Sequence, residues 1–137
     1  MPVKINIDYE GDLKCRAVHE PSGSEIVTDA PVDNGGKGEF FSPTDLLTTS
    51  LATCIITIMD VFAKNIGLDL KGTKIEASKE MTKDAVRKIA KVSLKLIFPN
   101  TLDISDKDRK KLERVVNSCP VKISLSPDVE VQTEFIY

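Results

Sequence analysis

The stretch "SPTDLLTTSLATCIITIMDVFAKNIG", residues Ser42–Gly67, decides the fold. Ser42 is a good N-cap, Pro43 suits the first helical position, and Asp45 places a negative charge in the first turn. Gly67 supplies the stop. Between them Leu46, Leu47, Leu51, Ala52, Ile55, Ile56, Ile58, Met59, Val61, Phe62 and Ala63 cover most of the helix circumference. Only a narrow polar stripe remains, at Thr53, Thr57, Asp60 and Lys64. Such a helix is expected at the centre of a fold, mostly buried. Its uncharged stretch between Asp45 and Asp60 falls short of the roughly 20 residues needed to cross a bilayer, so no membrane partner is expected.

On the N-terminal side, Val3, Ile5, Ile7 and Tyr9 alternate with polar residues, the period of a half-buried strand. A tight turn at Gly11-Asp12 leads to a second strand with Leu13, Cys15, Ala17 and His19 on one face and Arg16 and Val18 on the other. Pro21–Ser24 turns the chain into a short strand at 25–28. The loop from Pro31 to Phe41 contains glycines but no phosphate-binding pattern. Beyond the helix, Ile75, Ala77 and Met81 form one inward row, and Ala90, Val92, Leu94, Leu96 and Phe98 another. Ser105 and Asp108 form a capping-box pattern opening a second helix with the apolar line Leu112, Val115, Val116 and Cys119. Pro120 interrupts it. Val129, Val131, Thr133 and Phe135 form a last strand. The order β-β-β-α-β-β-α-β predicts an α+β fold of antiparallel meanders around two core helices.

The chain has 137 residues and a formal net charge of -2. That length fits a single domain over 1–137, and the balanced charge offers no field for nucleic acid. Residues 1–10 lack an apolar secretory core, which predicts a cytoplasmic location. Three cysteines, Cys15, Cys54 and Cys119, do not suggest a permanent disulfide framework there.

Two readings of the helical thiols stand side by side. Cys54 projects with Leu47, Ile58 and Val61 at the border of the apolar face, and Cys119 extends the core line of the second helix, so both serve as small buried hydrophobes. Alternatively they carry chemistry. If Pro120 begins a short helical turn, Cys119 becomes its N-cap, where a thiol pKa can be lowered. Other constellations are weaker. Cys15 and His19 stand about 13 Å apart on a strand and cannot share one metal ion, so no metal site is expected. His19 reaches Cys54 only across the fold.

"SPTDLLTTSLATC", "AKNIGLDLKG", "RKKLERVVNSCPV" and "SPDVEVQTEFIY" together resemble the OsmC/Ohr family of thiol-dependent peroxidases over nearly the whole chain. The resemblance implies an intertwined homodimer, a hydroperoxide substrate, and an external dithiol reductant, and the thiol chemistry of this peroxidase reading requires no bound cofactor. It makes Cys54 the peroxidatic and Cys119 the resolving cysteine, whereas the local N-cap argument by itself nominates Cys119 as the reactive thiol. It points to Arg16 as the thiolate-stabilising arginine. The acid that the family carries directly after the motif proline is here Thr44, with Asp45 one residue on. An apolar substrate tail is expected along Leu47, Leu51 and Ile58. A rival within the same scaffold is a non-enzymatic binding protein or redox sensor that holds an apolar ligand at the dimer interface.

Overall fold

The computed structural model describes residues Met1–Tyr137. The chain divides into two compact units, 1–47 and 48–137.

The first unit is a three-stranded antiparallel sheet, β1 (Ile5–Gly11), β2 (Lys14–His19) and β3 (Glu25–Thr28), in the order β1-β2-β3. Ile5 pairs with His19, Ile7 with Ala17 and Tyr9 with Cys15, so the expected apolar row exists. It is not half-buried, however: Ile5, Ile7 and Tyr9 are 55%, 64% and 65% exposed. Leu13 is not on β2 either. Asp12 and Leu13 form a two-residue turn, both with left-handed φ, closed by the pairing of Gly11 with Lys14 after a register shift between Tyr9 and Gly11. The loop before the helix is tightly folded. A Cβ on Gly36 would lie 1.8 Å from the Ala30 carbonyl oxygen, so only glycine fits there.

Helix α1 runs from Pro43 to Asn65, as the sequence predicts. Its stop is a Schellman motif: Gly67, at φ +77°, donates its N–H to Lys64 O, and Leu68 donates to Ala63 O. Its burial is narrower than expected. Thr48, Leu51, Ala52, Ile55, Met59 and Ala63 are buried, while Val61 is 64% exposed and Ile56, Ile58 and Phe62 are half-exposed. By length and composition α1 could also cross a bilayer, because its apolar run extends past Asp60 to Ala63, further than the uncharged stretch alone suggests.

The second unit holds the core. Every buried apolar side chain lies between Leu51 and Cys119, including Val92, Leu94, Leu96 and Phe98 on one row. Strands β4 (Lys74–Met81) and β5 (Ile89–Ile97) are antiparallel, and β6 (Glu130–Ile136) pairs with β5 in parallel. The α+β class and the element order stand as read, but this sheet is not a pure meander. The long connection through α2 (Asp106–Arg114), a 3-10 turn at Val115–Ser118 and α3 (Pro120–Ser124) is the crossover a parallel pair requires. Ile89 rather than Ala90 is buried, because a bulge sets two residues of β5 against one of β4 between Glu80–Lys91 and Met81–Ile89. On β4, Ala77 and Lys79 share the inward row with Ile75, and Ala77 stays exposed.

The cap of α2 forms as its sequence suggests, Ser105 accepting from Asp108 N at 3.2 Å. The far end of the sheet ties to the same helix: the Tyr137 hydroxyl donates to Glu113 Oε2 at 3.3 Å, its ring stacks on Phe98 at 4.8 Å, and the Arg109 guanidinium stands 4.2 Å from its centroid. Burial, with Glu113 beside it, holds that phenol protonated far above its usual range.

Candidate active site

The second unit brings two of the predicted residues together. Cys54 sits in the middle of α1, half-exposed, with its carbonyl accepting from Thr57 Oγ1 at 2.9 Å. Cys119 is wholly buried between the 3-10 turn and α3, close enough to Cys54 for the two thiols to influence each other. All three cysteines are free.

Cys119 is the N-cap of α3, as the Pro120 argument anticipates: its φ and ψ are -63° and 117°, and Sγ accepts the Lys122 N–H at 3.4 Å. The electrostatic consequence runs the other way from the N-cap expectation. Burial, followed by the hydrogen bond and charge of Cys54, pushes the Cys119 thiol up, and the amides of Lys122 and Val121 only partly oppose this. Cys119 therefore holds its proton more tightly than a free thiol does. Cys54, half-exposed, is the more accessible of the two cysteines.

The other predicted residues are engaged elsewhere. Arg16 pairs with Glu10 at 3.4 Å and Glu25 at 3.3 Å, each on a neighbouring strand, as part of an exposed polar face. Asp45 closes a reciprocal cap: its Oδ2 accepts from Ser42 N at 2.9 Å, and its own N–H donates to Ser42 Oγ at 3.1 Å. Leu51 is fully buried and presents no surface to a ligand, while Leu47 and Ile58 are half-buried. His19 Nδ1 is hydrogen-bonded to Ser22 Oγ at 2.5 Å.

Sequence reasoning did not find the clasp around Cys119, in which Lys122 Nζ donates to Asn117 Oδ1 at 3.0 Å. Nothing in residue type marks an Asn and a Lys five positions apart; the bend at Pro120 brings them into reach. It also did not find a cavity of about 600 Å³ along α1, with Ile56, Val61 and Leu70 as its apolar lining and Asp60, Lys64 and Lys71 among its polar residues.

The chain belongs to the OsmC-like protein family, whose model matches residues 36–134. It is 41% identical to a candidate osmotic stress induced and detoxification response protein from Psychrobacter arcticus, over 96% of this chain and 93% of that one, with a TM-score of 0.89. The organic hydroperoxide resistance protein OhrB of Bacillus subtilis shares the fold at 21% identity, with 98% of each chain covered and a TM-score of 0.67. An organic hydroperoxide resistance protein OsmC from Legionella pneumophila does so at 14% identity, covering 100% of this chain and 98% of that one, with a TM-score of 0.77. No curated protein matches the sequence.

Proposed function

We propose that the protein is a thiol-dependent hydroperoxide reductase in which Cys54 is the peroxidatic and Cys119 the resolving cysteine. One observation carries this reading: a half-exposed cysteine in the middle of α1 stands beside a second, wholly buried cysteine at the start of α3, and both are free. The Cys54 thiolate attacks the distal peroxide oxygen, the O–O bond breaks, and the alcohol or water leaves with a proton. Cys54 is then a sulfenic acid. Attack by Cys119 expels water and forms the disulfide, which an external dithiol reduces. No bound cofactor enters these steps. A reducing cytoplasm would keep both thiols free between turnovers. Arg16 and Asp45, held by their own neighbours, take no part in the thiol step within one chain.

The active species in this proposal is a homodimer. Unit 1 has no buried apolar side chain, yet it exposes Val3, Ile5, Ile7, Tyr9, Phe40 and Phe41. A sheet that exposes this many large apolar side chains and buries none calls for a cover, and a second copy of the chain is the cover proposed.

The second reading, a binding protein for an apolar molecule, draws support from the cavity along Ile56, Val61 and Leu70. One experiment separates the two. Reduced protein receives one equivalent of cumene hydroperoxide, and its thiols and mass are followed. Loss of two thiols with an internal Cys54–Cys119 disulfide supports the reductase; thiol loss no faster than that of free cysteine overturns it.

A further inference from the structure

Cys54 and Cys119 sit on elements of very different stiffness. Cys54 is central in a helix of 23 residues, whereas Cys119 joins a four-residue 3-10 turn to a five-residue helix. Both thiols are free, and a disulfide between them would bring their sulfur atoms to about 2.05 Å. Movement of Cys119 toward Cys54 in closing that bond draws its Sγ away from the Lys122 N–H that it accepts at 3.4 Å.

The backbone of Cys119 is held on both sides, its N–H donating to Val116 O at 3.2 Å and its carbonyl accepting from Ile123 N at 3.0 Å. A third restraint spans the junction from outside, the hydrogen bond from Lys122 Nζ to Asn117 Oδ1 at 3.0 Å. We propose that this Asn117–Lys122 bond is a latch that sets the rate at which Cys119 closes the disulfide onto oxidised Cys54, which makes Asn117 and Lys122 positioning residues for the second step. The inference rests on the reductase reading above for its biological setting. While latched, the junction holds Cys119 back from Cys54. Once Cys54 is oxidised, opening the latch lets Cys119 attack the Cys54 sulfur and release the leaving group, water from a sulfenic acid or a thiolate from a mixed disulfide.

The latch can be tested without peroxide, in a Cys15→Ser protein that leaves only Cys54 and Cys119. Added 5,5'-dithiobis(2-nitrobenzoate) forms a mixed disulfide with Cys54 and releases one thionitrobenzoate; attack by Cys119 on the Cys54 sulfur releases the second. Two phases of absorbance report the two steps. Lys122→Met and Asn117→Ala should each speed the second phase by about threefold or more, the equivalent of one exposed hydrogen bond, and leave the first unchanged. The double variant should match either single one, and Lys122→Arg should return the second phase toward wild type. Melting curves of the reduced variants confirm that they are folded. An unchanged or slowed second phase, or additive effects in the double variant, overturns the latch. Failure of cumene hydroperoxide to oxidise a protein whose two phases behave as expected overturns the reductase reading alone.

Discussion

Ser42 and Asp45 cap each other at the start of α1, the N–H of each donating to the side chain of the other at 2.9 and 3.1 Å. This pair bounds the stretch from which the fold is read, and it uses the acid that the motif comparison offers to the thiol. Asp45→Ala is expected to cost about 1 kcal/mol, lowering the melting temperature by about 4 °C. Asp45→Asn, which keeps the acceptor, should lose less and leave peroxide consumption within about twofold; a loss of tenfold or more would return Asp45 to the chemistry.

The two thiols should separate by substitution. Cys54→Ser is expected to abolish peroxide consumption, while Cys119→Ser consumes one equivalent and stalls as a sulfenic acid that dimedone traps. Dimedone labelling of Cys119 in the Cys54→Ser protein would reverse the assignment.

The proton on Cys119 has a stability signature. Its folded pKa lies above the unfolded value, so its contribution is fully present below the unfolded thiol pKa and is lost as pH rises through the folded one. The stability difference between the reduced protein and Cys119→Ser, measured by urea titration, should stay constant up to about pH 8 and shift against wild type above it. In Cys54→Ala the alkylation midpoint of Cys119 should fall, because the hydrogen bond and charge of Cys54 are gone and only burial still raises it.

Asp60 gives the opposite sign. The Leu70 N–H at 2.9 Å, then Lys64 at 2.9 Å, hold its carboxyl below the usual range. Its contribution is present above the unfolded carboxyl pKa and is lost as pH falls through the lowered folded value. Asp60→Asn should therefore melt lower than wild type at pH 7 and converge with it below about pH 3.

Light scattering at micromolar concentration should report a dimer, and the interface should bury more than about 2,000 Å² in total. Isoleucine to lysine changes at Ile5 or Ile7 should yield monomers; a monomeric wild type would contradict the proposed cover for the first sheet.

Local signals in the sequence are legible where local chemistry decides the structure. Ser42, Pro43 and Gly67 bound α1, Ser105 caps α2, and Pro120 makes Cys119 an N-cap, each through bonds spanning a few residues. What was not legible depended on distant chain. Alternation at Ile5, Ile7 and Tyr9 identifies one face of a strand but cannot say that nothing in the same chain covers it. The direction of β6 is invisible in Val131, Thr133 and Phe135, since parallel and antiparallel strands alternate alike. At Cys119 the sequence shows both the helix start after Pro120 and the buried core line, but not that burial outweighs the amides.

The parallel pairing of β6 with β5 has a kinetic side. Antiparallel neighbours zip from a short turn, but Glu130–Ile136 can align with Ile89–Ile97 only after a loop of more than thirty residues has closed. Cys119 rides on that loop. During refolding, native thiol contact should appear with the slow, non-local phase rather than with formation of α1, so a chain caught before the last strand docks exposes Cys54 with no partner to protect it from irreversible overoxidation.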